Sequence, residues 1–311
     1  MMDFELNDTE RMLSDTLDRF ALSAATETGA HWQHCLDMGW HIASVSEELG
    51  GFGLGLNGPV LVARSLGGLL SPLDWARDAL LPAILLAGLS PDDPRAAQAL
   101  DDFLAGTLKP VVAAADAENR VSLPKTVNLA LALTDGGTRL IWMEQPELTG
   151  AETISVAGEE TVSIPLPDAP GLALSKDLTD RLRTAAHVVA AADRLGAMEK
   201  AFAMTLDYCR TRHQFGRPLS GFQALQHRLV DMSIACDETE ALVLAAAMAA
   251  TGDRPDAMRL ATAAWARAGD LGQRLGEEAI QLHGGIGMTE ECEVGCYVKR
   301  MMARQPIVST P

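Results

Sequence analysis

Residues 208–230 carry basic side chains in a chain that is otherwise acidic. The segment contains no aspartate or glutamate, and its basic residues are Arg210, Arg212, Arg217, Arg228, His213 and His227. Gly216 and Pro218 predict a turn between two helices at its centre. An arginine in a turn near a helix start, where backbone N–H groups are free, is suited to bind an anion. The alternative is a solvated basic turn that balances acidic neighbours.

A second candidate is the segment 281–288, Gln-Leu-His-Gly-Gly-Ile-Gly-Met, which follows a long helical pattern. Its three glycines permit left-handed backbone and the close approach of a ligand. The alternative is a helix end and a tight turn into the next helix. His283 within this segment is more simply interpreted as a structural histidine than as an acid or base.

Composition narrows the function classes. The 311 residues include 42 acidic and 25 basic side chains, which give a net charge of −17. Phosphate backbones and anionic membrane surfaces bind clustered Lys and Arg, so neither nucleic acid nor membrane is an expected partner. The longest apolar run, residues 79–89, contains Pro82 and is too short to span a bilayer. Residues 1–5 lack a basic start, so no signal peptide is predicted.

The cysteines indicate a reducing compartment. They number five, form no Cys-x-x-Cys pair, and are interpreted as free thiols of a cytoplasmic protein. Cys292 and Cys296 lie four residues apart, but no matching Cys or His pair accompanies them, so no metal site is predicted.

Three regions must position these residues. Region 1–106 is predicted to be helical, with Asn7 and Glu10 as a capping box and helices over 58–69, 74–87 and 93–105. Region 107–172 is predicted to be a small β domain of about five strands, with Asp-Gly-Gly at 135–137 as a hairpin turn. The strands are predicted over 111–112, 129–134, 140–143, 153–156 and 161–164. Region 173–311 has four helical patterns in series, the last over 289–304, which predict an antiparallel bundle.

The two turns together, separated by two long helices, resemble the C-terminal domain of the acyl-CoA dehydrogenase family. Three further segments are similar to that family: Leu-Asn-Asp-Thr-Glu-Arg-Met-Leu at 6–13, Glu-Glu-Leu-Gly-Gly-Phe-Gly at 47–53, and Phe-Gln-Ala-Leu-Gln-His-Arg-Leu at 222–229. The resemblance implies a mainly α fold: an N-terminal helical domain, a reduced middle β domain and a C-terminal antiparallel four-helix bundle.

The resemblance also implies a reaction and a cofactor. In this family a carboxylate base removes a Cα proton from an acyl-CoA thioester while FAD accepts the Cβ hydride. Two turns like these contact the pyrophosphate and adenosine half of an FAD that is seated mainly in the neighbouring subunit. The residues that would line it here are Arg212, Gln214, Phe215, Gln223, Gln281, Gly284 and Gly285. Arg212 would meet a pyrophosphate charge.

The middle region departs from the family pattern. The segment that contacts the flavin ring in the family ends in Gly-Ser, whereas residues 113–118 here are Ala-Ala-Ala-Asp-Ala-Glu with no Gly-Ser after them. Trp142 is the only tryptophan of the region, and it lacks the hydroxyl residue two positions on. The sequence therefore predicts that this chain does not seat an isoalloxazine ring.

The family's catalytic carboxylate is also missing from both of its usual positions. One position falls near Val308 and the other near Ala186, and neither residue is acidic. Removal of an α-proton needs a positioned base. The remaining candidates for a displaced base are Asp193, Glu199 and Glu290.

Three hypotheses follow. The first is a shortened, non-catalytic subunit that completes the FAD site of a full-length acyl-CoA dehydrogenase-like partner in a heterodimer or α2β2 heterotetramer. Its substrate would be a steroid or other bulky acyl-CoA, and its electron acceptor an electron-transfer flavoprotein or similar protein. The second is a self-sufficient homo-oligomeric acyl-CoA dehydrogenase with a displaced base. The third is an assembly protein without flavin.

Overall fold

The N-terminal region is built from short helices around an apolar core. The computed structural model describes residues 6–24, 31–154, 160–303 and 305–308. Its first helices are α1 (Asp8–Ala24), α2 (His31–Asp37), α3 (Asn57–Gly68), α4 (Leu81–Leu89) and α5 (Pro94–Leu104). The predicted capping box is confirmed: Glu10 N donates to Asn7 Oδ1 and Asn7 N donates to Glu10 Oε2, both at 2.9 Å.

The helix predicted over 74–87 is irregular at its start. Residues Ala76–Leu80 form a π-helical turn before α4 begins at Leu81. Arg77 and Asp78 are both buried in this turn and pair with each other at 2.6 Å. Adjacent opposite charges of this kind give no periodic signal, so the sequence pattern did not indicate the distortion.

The middle region contains two small sheets rather than one set of about five strands. The first sheet has the order β1 (Pro110–Ala114), β3 (Leu129–Thr134), β4 (Arg139–Glu144), β7 (Leu172–Ala173), and the second has β2 (Arg120–Pro124), β6 (Glu160–Pro165), β5 (Ala151–Ile154). The prediction missed β2 and β7. The strand predicted over 153–156 extends into residues outside the described part of the chain.

The predicted Asp-Gly-Gly hairpin is confirmed, since residues Asp135–Gly137 join the antiparallel strands β3 and β4. Both faces of β3 are buried. One face, with Ala130 and Ala132, packs against the second sheet, and the other, with Leu131 and Leu133, joins the main helical core. Burial on both faces explains why β3 is a continuous apolar run.

The C-terminal region is a bundle of α6 (Lys176–Thr211), α7 (Gln223–Thr251), α8 (Ala257–His283) and α9 (Val294–Ala303). The predicted start of the last helix at 289 is wrong, because a 3₁₀ turn over Gly284–Met288 is followed by irregular backbone up to Val294. Its predicted last residue, 304, lies outside the described part. The mainly α fold class with a small β portion is confirmed, whereas the boundaries at 106 and 172 stay a prediction.

Helices α3 and α6 cross at very close range. A Cβ added to Gly196 would lie 1.8 Å from the Arg64 carbonyl oxygen, and one added to Gly67 would lie 2.0 Å from the Asp193 carbonyl oxygen. Only glycine fits at these two positions, so the N-terminal helices sit directly against the central helix of the bundle. No helix in the described ranges is both long enough and apolar enough to cross a membrane.

Candidate functional site

The basic turn is a tight hairpin that follows α6. Strands β8 (His213–Gln214) and β9 (Arg217–Pro218) pair in an antiparallel manner, and the two residues between them have φ values of 51° (Phe215) and 82° (Gly216). Positive φ at both central residues defines a type I′ turn. Phenylalanine is strained in this region, and its side chain here is 93% exposed. A strained and exposed aromatic ring suggests a role in binding.

Arg212 lies at the start of this hairpin. Its backbone N–H closes the last turn of α6 by donating to the Tyr208 carbonyl at 2.8 Å, and its side chain is exposed. Within the described residues, its guanidinium forms no ion pair and no hydrogen bond. Arg217 differs, because its guanidinium stacks on the Phe222 ring at 3.9 Å. Arg212 is therefore the cation of this hairpin that is available to an anionic group.

The glycine turn leaves an open surface at the end of α8. Gly284 ends the helix with φ 66°, and no atom lies within 4 Å of a Cβ placed on either Gly284 or Gly285. Gln281 and both glycines are exposed. A bare backbone of this kind lets a ligand approach main-chain groups closely.

The two turns lie side by side in the folded chain. The Tyr208 hydroxyl donates to the His283 carbonyl oxygen at 3.3 Å, and the two rings stack with centroids 4.5 Å apart. Arg228 of α7 also pairs with Glu278 of α8 at 2.5 Å. These contacts hold the ends of α6 and α8 and the start of α7 together. The surface that they form is called the cradle below, and its residues are Arg212, Gln214, Phe215, Gln223, Gln281, Gly284 and Gly285.

The chemistry of the cradle suits an anionic ligand. It combines a free guanidinium, exposed glutamine side chains and an open glycine backbone, all of which are suited to bind phosphate oxygens. The aromatic ring of Phe215 and the Phe222–Arg217 stack add flat surfaces, with the two phenylalanine rings 6.3 Å apart. The sequence predicted the cradle residues as cofactor contacts, a role that stays a prediction. It did not single out Tyr208, because a tyrosine inside an amphipathic helix has no pattern of its own.

Two of the three candidate bases are held in ion pairs. Both oxygens of Asp193 accept hydrogen bonds from Arg300, at 2.8 and 2.6 Å, and both side chains are buried. Both oxygens of Glu199 accept from Arg64, at 2.8 and 2.5 Å. Glu290 is exposed. None of these carboxylates is therefore presented to a pocket with free oxygens, although Asp193 borders a small cavity.

That small cavity lies where one of the family's base positions falls. Its volume is about 20 Å³, and it is lined in part by Ala186, Val189, Asp193 and Trp75. A space of this size holds about one water molecule. The other position, Val308, is 2% exposed and packs against Gly137. Apolar side chains thus fill both places.

The middle region uses its tryptophan for other contacts. The Trp142 indole N–H donates to Glu144 at 3.2 Å, and the Arg95 guanidinium lies 5.5 Å from its ring. The segment 113–118 runs into a turn in which Asp116 accepts from the backbone N–H groups of Glu118 and Arg120, both at 2.9 Å. Trp142 and Asp116 are thus engaged in contacts within this chain, and the lack of a seat for the flavin ring stays a prediction.

None of the cysteines is a cradle residue. All five cysteines are free, and burial raises the pKa of Cys35 and of Cys236 to about 12, so both remain protonated thiols. Within the described ranges, no group of three His, Cys, Asp or Glu side chains could hold a metal ion.

An N-terminal helical region, two small sheets and a C-terminal helical bundle define the class of fold, and comparison with known proteins identifies the family. A family model of the acyl-CoA dehydrogenase C-terminal domain matches residues 183–307. The acyl-CoA dehydrogenase IpdE2 of Mycobacterium tuberculosis is 32% identical over 282 residues, which cover 89% of this chain and 81% of that protein. The chain belongs to the acyl-CoA dehydrogenase family. FAD is the cofactor expected from the sequence, and it agrees with this membership.

Solved structures share the fold. One chain of the ChsE4–ChsE5 complex from Mycobacterium tuberculosis superposes with a TM-score of 0.79 at 22% identity, covering 96% of this chain and 93% of that chain. A variant of the Tcur3481–Tcur3483 steroid acyl-CoA dehydrogenase superposes with a TM-score of 0.78 at 21% identity, covering 94% and 92%. The first neighbour is a complex of ChsE4 with ChsE5, and the name of the second joins Tcur3481 and Tcur3483.

Proposed function

We propose that this chain is a non-catalytic subunit of a heteromeric acyl-CoA dehydrogenase. Its cradle would hold the pyrophosphate and adenosine half of an FAD whose ring is seated in a full-length partner. When bound, FAD supplies the hydride acceptor for α,β-dehydrogenation of the acyl-CoA. The partner would supply the base and the thioester contacts, and an electron-transfer flavoprotein or similar protein would be the acceptor.

The observation that carries the proposal is the contrast between the two halves of the site. At the end of the bundle, the cradle is open and Arg212 is available. The cavity beside Ala186, where a base would stand, has a volume of about 20 Å³. Such a cavity does not admit an acyl thioester, since ligand pockets measure roughly 300–1,000 Å³. An open cradle together with a filled base position supports a site that is shared with another chain.

Exposed apolar side chains at the cradle end also support a partner. Phe215 is 93% exposed, Met288 78%, Val230 55% and Ile234 54%. Large apolar residues clustered near a binding site mark protein–protein contact surfaces. The Phe215 ring, held outward by a strained backbone, is suited to be an interface anchor.

The substrate proposal rests on analogy. The Tcur3481–Tcur3483 neighbour is described as a steroid acyl-CoA dehydrogenase. We infer a steroid or other bulky acyl-CoA as substrate. Because this chain is proposed to lack an acyl pocket of its own, room remains for a large acyl group beside the catalytic chain. A reconstituted pair that oxidises linear acyl-CoAs much faster than steroid acyl-CoAs would contradict this inference.

The test is native mass spectrometry combined with a visible spectrum. The chain is measured alone and after co-expression with a full-length acyl-CoA dehydrogenase-like chain encoded beside it. We expect a colourless chain alone and a yellow mixed complex with one FAD per pair of chains. A yellow homo-oligomer that is bleached by an acyl-CoA would support the self-sufficient enzyme instead. A colourless complex would support the assembly protein.

A further inference from the structure

Two side chains outside the cradle join its two turns. Tyr208 lies in the last turn of α6, four residues before Arg212, and His283 is the last residue of α8, directly before Gly284. The Tyr208 hydroxyl donates to the His283 carbonyl at 3.3 Å. The rings are nearly parallel, with an interplanar angle of 25° and centroids 4.5 Å apart.

The imidazole of His283 is itself fixed in place. Its Nδ1 lies 2.8 Å from the Ala279 carbonyl oxygen, which can only accept, so this nitrogen carries a proton and donates. The residue is 6% exposed. A Cβ on Gly287 would come within 3.0 Å of the His283 Cβ, so the glycine turn folds back over it. His283 therefore presents a rigid surface for the tyrosine ring.

The lengths of the connections show why such a contact matters. Arg212 and Gly284 belong to different turns, and α7 and α8 lie between them along the chain. Helix ends fray because their last backbone groups lack helical partners. Without a contact between the two ends, the distance between the guanidinium and the glycine backbone would fluctuate. A ligand that spans both would then bind at an added entropic cost.

The geometry points to Tyr208 and His283 as positioning residues that set the separation of the Arg212 turn and the Gly284–Gly285 turn for cofactor binding. This inference rests on the proposed function, since the cofactor is the shared FAD. Neither side chain is required to touch it. The pair acts by keeping the cradle in its binding geometry before the cofactor arrives.

The experiment measures the FAD dissociation constant of the purified two-chain complex by flavin fluorescence, together with the Tm. Tyr208→Phe removes the hydrogen bond but keeps the stack, and we expect about a threefold weaker affinity, because one neutral hydrogen bond between the two turns is lost. Tyr208→Leu removes both contacts, and we expect a loss of about tenfold or more.

A matched control separates positioning from general destabilisation. Leu195 lies on the same helix, about 20 Å from Tyr208, and is 1% exposed in the bundle core. Leu195→Ala should lower the Tm at least as much as Tyr208→Leu while leaving FAD affinity within about twofold of the wild type. If both variants lose FAD in proportion to their loss of Tm, the positioning role is overturned.

The outcome also distinguishes this inference from the proposed function. A wild-type complex that binds no FAD would contradict the proposed function. A complex that binds FAD and loses it on Arg212→Ala, but keeps wild-type affinity with Tyr208→Leu, would overturn the positioning role alone.

Discussion

Arg212 is the residue on which the cofactor interpretation depends most. Its guanidinium is exposed and has no partner in the described part of the chain, although the chain carries 42 acidic residues that could pair with it. By contrast, Arg64, Arg228, Arg267 and Arg300 are all paired with carboxylates. A free guanidinium at the start of a strained hairpin, in the same cradle as the open Gly284–Gly285 backbone, is consistent with a binding role.

We expect Arg212→Ala to weaken FAD retention in the complex by about 10- to 100-fold, since hydrogen bonds to charged groups contribute roughly 1.5–3 kcal/mol. Its Tm should stay within a degree or two of the wild type, because surface substitutions cost little stability. The readout is the ratio of flavin to protein absorbance after gel filtration. Arg259→Ala, at the other end of the bundle, is the control, and equal flavin loss in both variants would contradict the role.

Three buried histidines predict a pH dependence of stability. Burial lowers the pKa of His31, His41 and His187 below the ordinary value of 6.5. As the pH falls below 6.5, these side chains take up protons in the unfolded chain before they do so in the folded one. The unfolded state is thereby favoured, so stability is greatest above that pH and is lost as the pH falls toward the lowered folded-state values.

His41 offers the sharpest test of this effect. It is 4% exposed and lies 5.3 Å from the Phe103 ring. Thermal melts at about pH 7.5 and about pH 5.5 should show a clear fall in Tm for the wild type and a smaller fall for His41→Leu. The exposed His213→Leu variant should fall as much as the wild type. An identical fall in all three proteins would show that His41 does not contribute.

At the scale of the elements, the crossing of α3 and α6 is set by glycine. We expect Gly196→Ala to lower the free energy of unfolding by about 1–3 kcal/mol, because its new methyl group would overlap the Arg64 carbonyl. Urea unfolding followed by circular dichroism measures this.

Gly285→Ala is the matched control, since open space surrounds that position. Its stability should stay within about 0.5 kcal/mol of the wild type, whereas its FAD retention should fall. Wild-type stability in Gly196→Ala, or an equal loss of stability in both variants, would contradict the role of the close crossing.

The elements also show where sequence patterns were informative. The capping box at Asn7 and the hairpin at Asp135–Gly137 were predicted because each depends on residues a few positions apart. Strand β7 was missed because it has only two residues. Strand β2 was missed because its alternation of polar and apolar residues covers only a short run. The late start of α9 follows from the turn at Gly284–Met288, whose length depends on packing against α8.

For the whole molecule, the proposed function requires association with a second chain. Ile234 is 54% exposed on α7, three turns from the cradle residue Gln223. We expect Ile234→Glu to prevent the mixed complex while leaving this chain folded, because a charge would be buried without a partner at the interface. Size-exclusion chromatography of the co-expressed chains provides the measurement.

Ile154→Glu makes the same change at an isoleucine that is 72% exposed on β5, in the middle region. The complex should form normally with this variant. Assembly that is lost in both variants, or in neither, would mean that the α7 surface is not the contact.

Residue identity and local pattern were enough to establish the family resemblance, the helical and β regions, the basic and glycine turns, and the absence of a carboxylate at Ala186 and Val308. Each of these depends on residue identity, local periodicity or short spacing, all of which are properties of a segment.

Which segments contact each other became known only from the folded chain. The tertiary structure brought Tyr208 onto His283, paired Asp193 with Arg300 and Glu199 with Arg64, and reduced the space beside Ala186 to about 20 Å³. These contacts join residues 75, 107 and 135 positions apart. They arise from helix crossings and from the competition of many side chains for the same volume, so no local pattern encodes them.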